Sequence, residues 1–160
     1  MDAVMERIQE QLGEETRIFR GLLEVVERER DILLEGDHQE LFEVSERKAG
    51  LCERLSAVQD KRRALMAELA PEGAESLRLR DLARFLAKEE QGPYKQTVRD
   101  LTQMASRLEN LNQNNKGFIE EALDMVDHLM AILTGGGGGS YGAGGKPERG
   151  GGGRILAKEV

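Results

Sequence analysis

Two histidines, one cysteine and thirty carboxylates are the groups in this 160-residue chain that could do chemistry. A hydrolytic or metal centre needs such groups fixed convergently in a pocket. His38 stands near a helix start and His128 on the last long helix, and neither has a second His or Cys at ligand spacing, so no zinc site is expected. Cys52, beside Leu51 at the edge of an apolar stripe, reads as a buried or half-buried small hydrophobe rather than a redox thiol. A single cysteine forms no intrachain disulfide, which suits a reducing compartment. The carboxylates alternate with arginines, as from Glu24 to Asp31, and this is the pattern of a solvated helix face, not of a general-acid pair. The Gly-rich end invites a phosphate-loop reading. It fails, because Pro147 follows Gly145-Lys146 where Ser or Thr is needed, Ser140 replaces the first Gly, and no strand precedes it. The sequence thus predicts no enzyme, no cofactor and no metal.

The elements that must carry any other function are helical. Ala, Glu, Lys, Leu and Arg fill about half the chain, Trp is absent and aromatics are 4%. There is little β-sheet material. The net charge is -7, yet residues from Ser140 onward carry four basic and two acidic groups, so the acidity sits in the helical body. An acidic body repels phosphate backbones and anionic lipid, which argues against nucleic acid or a membrane surface as partner and for a protein. The start lacks a basic stretch followed by an apolar one, and the longest apolar run is Leu129 to Leu133. Neither a secretory signal nor membrane insertion is expected, and a cytoplasmic location is.

Residues 2 to 35 read as one helix of about 50 Å. Met5, Ile8, Leu12, Phe19, Leu22, Val26 and Leu33 form its stripe, widened by Ile18, Val25 and Ile32 and interrupted by Glu15 and Glu29/Arg30. Gly36 suits a C-cap, and Asp37 with Glu40 makes a capping box, so a tight antiparallel hairpin follows. The second helix runs to about Ala70 on the stripe Leu41, Val44, Lys48, Leu51, Leu55, Val58, Arg62, Leu65, Leu69, the strongest heptad pattern in the chain. Residues 75 to 90 hold a short amphipathic segment with Leu79, Leu82 and Phe85/Leu86 on one face. Gln91-Gly92-Pro93 closes it, and Pro93 is placed in the first turn of a third long helix ending near Leu133.

The expected fold is therefore all-α: an elongated, antiparallel, coiled-coil-like bundle of three long helices plus the short segment over residues 1–134, then a flexible Gly-rich tail, 135–160, with a short apolar end. From Gly135 to Gly153, 12 of 19 residues are Gly, which opposes any fixed shape.

The surplus lies on helix three. One stripe runs Leu101, Met104, Leu108, Leu111, Asn115, Phe118, Ala122, Met125, Leu129, Ile132, and a second adds Ala105, Asn112, Ile119, Val126 and Leu133. Leu123 and Met130 widen the apolar face further. Such a face must be covered. Its cover is either the protein's own helices or a second copy, or else the helix of a partner to which Met104, Met125 and Met130 adapt. Asn112 and Asn115 fall within or beside the stripes. Buried at a seam they would fix register or partner number, and at an edge they would stay solvated.

Several of these segments resemble the FlgN-type flagellar export chaperones. Leu33-Leu34-Glu35-Gly36-Asp37 with Leu41 and Lys48 is similar to that family's first hairpin, Leu111-Asn112-Gln113-Asn114-Asn115 to its Asn-rich patch, and Ser140-Tyr141-Gly142 with Arg154-Ile155-Leu156 to its tail. The resemblance implies a chaperone that escorts hook-associated junction proteins to the export gate. It names Phe118, Leu123, Val126, Leu129 and Met130 as facing the cargo's C-terminal amphipathic helix, and Tyr141 as docking on the gate's cytoplasmic domain. A tyrosine in a Gly tract has no core to serve, which suits a binding role. The competing expectation is a structural coiled coil that assembles with itself as a homo-oligomer.

Overall fold

The computed structural model describes residues 2–36, 38–71 and 77–133. Helix α1 spans Asp2–Glu35, α2 His38–Leu69 and α3 Lys88–Leu133, with a 3-10 helix at Leu79–Phe85. No strand occurs among the described residues, so the all-α expectation holds. Gly36 closes α1 at φ 79°, the left-handed conformation that glycine adopts without strain, and its N–H donates to the Ile32 carbonyl at 2.8 Å. Asp37, the expected cap of α2, lies outside the described residues.

α1 is the central rod. α2 packs antiparallel on one side of it and α3 packs parallel to it on another, as shown by Pro93 and Tyr94 of α3 lying beside Gln9 and Leu12 while Asn115 meets Val26 and Glu29. Serving two neighbours explains the width of the α1 stripe. Ile18, Val25 and Ile32 are as deeply buried as Leu12, Phe19 and Val26, whereas Leu33 is only half-buried.

The polar interruptions set the register. On α1, Glu15 and Glu29 stand two heptads apart, and so do Lys48 and Arg62 on α2. They pair across the antiparallel seam: Arg62 Nε donates to Glu15 Oε1 at 2.5 Å, and Lys48 Nζ donates to both oxygens of Glu29 at 3.0 and 3.1 Å. Sliding α2 by one turn would bury both carboxylates against leucines, at a cost of several kcal/mol each.

Pro93 corrects the sequence reading. α3 begins at Lys88, so Gly92 and Pro93 lie inside it rather than ending the segment before. The helix starts early because Glu90 reaches back to accept the Ala87 N–H at 3.2 Å, while Gln91 donates to the Leu86 carbonyl at 3.2 Å. Glu89 and Glu90 also favour a helix N-terminus electrostatically. Pro93 then removes one hydrogen bond near the start, where few turns depend on it.

The 3-10 helix buries Leu79 and Leu82, a spacing that repeats once per 3-10 turn. It docks on α3, where the Tyr94 hydroxyl donates to the Leu79 carbonyl at 2.9 Å. Burial pushes the Tyr94 phenol well above its ordinary value; the nearby Glu15 carboxylate adds to this and Arg62 opposes it. The folded state thus holds this proton more tightly than the unfolded chain does. Tyr94 contributes stability that is full below pH about 10 and is lost as pH rises above it. Tyr94→Phe should therefore be less stable by about 1 kcal/mol at neutral pH but lose less on going to alkaline pH, which urea unfolding at both pH values would show.

Candidate partner-binding seam

α3 outruns its support. At about 1.5 Å per residue it is about 70 Å long, against about 50 Å for α1. Asn115 is level with Val26 and Glu29, and α1 stops at Glu35. The last residues of α3 thus project about 14–18 Å beyond the end of α1, roughly three turns.

Its α1-facing seam continues unchanged into that overhang. Val98, Leu101, Ala105, Leu108, Asn112, Asn115, Ile119, Ala122, Val126 and Leu129 follow one three-four alternation. As far as Leu108 every one of these residues is buried; beyond Asn115 none is. Phe118 and Ile119 are 37% and 38% exposed, and Leu123, Met125, Val126, Leu129 and Met130 are 47–66% exposed. The five residues singled out from sequence, Phe118, Leu123, Val126, Leu129 and Met130, therefore share one solvent-facing apolar surface. Met125 and Ile119 belong to it as well. Leu34, 63% exposed, is one turn beyond Arg30, which lines a cleft with Gln113, Phe118 and Glu121. Phe42 is also exposed near this hairpin end, and neither exposure was signalled by the stripes.

Asn115 closes the seam just before the overhang. It is 2% exposed, and its Nδ2 donates to the Val26 carbonyl at 2.9 Å and to Glu29 Oε2 at 2.8 Å. Glu29 thereby ties all three helices together, through Lys48 on one side and Asn115 on the other. Asn112 is half-buried one turn earlier. The side-chain oxygens of both asparagines are buried without a hydrogen-bond partner among the described residues. Of the two positions left open by the sequence, Asn115 is the buried seam residue.

Among the described residues no group of His, Cys, Asp and Glu could hold a metal ion. Cys52 stands one residue off the α2 stripe and is exposed, not buried or half-buried as expected; partial desolvation still raises its thiol above the ordinary value, with Lys48 pulling the other way, so little reactive thiolate forms. Among the described residues no helix is long and apolar enough to cross a membrane. Tyr141 lies outside the described residues, as does the Gly-rich segment around it.

The model of the FlgN protein family matches residues 1–149 of this sequence. The chain belongs to the FlgN family. It is thus a flagellar export chaperone, of a family that acts by binding rather than by catalysis. Comparison with curated proteins and with solved structures found no match. Among the described residues the end of α3 is an apolar surface that α1 and α2 leave open.

Proposed function

We propose that this FlgN-family chain, acting in the cytoplasm, binds the C-terminal amphipathic helix of hook-associated junction proteins along the overhang of α3 and delivers them to the export gate. The observation that carries the reading is that the packing seam, already open at Ile119, continues through Val126 and Leu129 where α1 has ended. A cargo helix laid there takes the place of the missing length of α1. Phe118, Leu123, Val126, Leu129 and Met130 supply its floor, and Leu34 its near end. Binding free energy comes from apolar area, at about 25 cal/mol per Å², less the cost of ordering the cargo segment. Met125 and Met130 can repack around more than one cargo sequence. Asn115 pins the register at which the intramolecular seam hands over to the intermolecular one, with Asn112 beside it.

In this reading residues 135–160 are a separate tail whose Tyr141 docks on the cytoplasmic domain of the gate. Tyr141→Ala should leave unfolding and cargo binding unchanged while abolishing most capture of the gate domain in a pull-down; equal capture by both forms refutes the role. The cargo reading is tested by titrating the full chain with C-terminal segments of junction proteins. A one-to-one complex that protects α3 amides beyond Phe118 from hydrogen exchange is expected. A tight homodimer covering the overhang, unchanged by added segment, would instead favour a self-assembling scaffold.

A further inference from the structure

The exposed end of α3, overhang included, is charged in one sign. From Gly117 to Met130 the ionisable residues are Glu120, Glu121, Asp124, Asp127 and His128, with no Lys or Arg. This contrasts with the body, where carboxylates bordering an apolar seam are met by a cation from the neighbouring helix. Arg107 meets Glu27, Arg54 meets Glu14 at 2.8 Å, and Arg28 grips Glu40 through two hydrogen bonds of 2.8 and 2.7 Å. On this stretch only Glu120 has an ion pair among the described residues, to Lys116 one turn back on its own helix, while Glu121 lines a cleft with Arg30 of α1.

The positions of the acids matter as much as their number. At about 100° per residue, the exposed apolar residues from Met125 round to Leu123 cover an arc of about 160°. Glu121 stands about 40° beyond one edge of this arc and Asp127 about 40° beyond the other. A helix seated on the arc brings its flanks over both carboxylates, as α3 brings Arg107 over Glu27 on α1.

We propose that the helical segment received by the α3 overhang carries Lys or Arg on both flanks of its apolar stripe, so that Glu121 and Asp127 select cationic over anionic cargo. This inference rests on the cargo-seam reading and adds the chemistry of the occupant. Each flanking pair is solvent-facing and individually weak, but exchanging cation for anion changes attraction into repulsion at several positions at once.

The test uses the full chain and two synthetic amphipathic helices of about twenty residues with identical Leu/Ile stripes, one flanked by Lys and the other by Glu. Fluorescence anisotropy at low salt should show the Lys-flanked helix binding at least about tenfold more tightly, a margin that collapses near 1 M salt. The double variant Glu121→Lys with Asp127→Lys should reverse the preference. Glu43→Lys with Glu46→Lys, an equal change of net charge at exposed α2 positions, should preserve it. Equal affinities for the two helices, or reversal by the α2 control as well, would overturn the selection while leaving the seam intact. If neither helix binds and junction-protein segments also fail, the seam reading falls and takes this inference with it.

Discussion

Arg62→Met should lower the free energy of unfolding by about 3–5 kcal/mol, a large part of the whole for a small domain. Arg62 is 2% exposed and Glu15 1%, and the two face each other across the α1–α2 seam. A charged pair held this far from water gains little over a well-packed apolar pair. The loss of one member is costly because the other stays buried without its counter-charge. Arg62→Met leaves the Glu15 carboxylate in that condition, close to the Tyr94 phenol. The double variant Glu15→Leu with Arg62→Met removes both charges and should recover most of the loss. Urea unfolding followed by circular dichroism gives both values. A cost below about 1 kcal/mol for the single change would mean that water reaches this seam in solution.

What the pair adds is specificity, and this bears on how much of the structure was legible from sequence. The stripes of α1 and α2 could be read separately, and so could the interruptions at Glu15, Glu29, Lys48 and Arg62. Their equal spacing of two heptads and opposite signs already contain the antiparallel register. A reading that takes helices one at a time treats them as flaws in the stripe. The start of α3 was misplaced for a different reason: Pro93 is a strong punctuation mark, and the capping contacts from Glu90 and Gln91 that override it are local side-chain geometry. The overhang could be anticipated as apolar surplus on α3. Its boundary could not, since it depends on where Asn115 meets Glu29 and hence on how far α1 extends past that level.

That offset makes the second large effect a clean one. Leu123→Glu should weaken cargo binding at least tenfold and up to about a thousandfold while leaving the unfolding free energy within about 0.5 kcal/mol of the parent. Leu123 is 59% exposed, so the isolated chain has little packing there to lose. Glutamate is about as good a helix former as leucine, and its like-charge neighbours Glu120 and Asp127 cost only a few tenths of a kcal/mol, so helicity should fall little. In the complex the same position is covered, and the substitution both forfeits a buried leucine and places a carboxylate against apolar surface. The control is Leu108→Glu, on the same helix but 2% exposed beneath α1, which should damage folding before it affects binding. Calorimetric titration with the cargo segment, alongside thermal unfolding of each variant, separates the two. Unchanged affinity for Leu123→Glu would mean that cargo is held elsewhere on the chain.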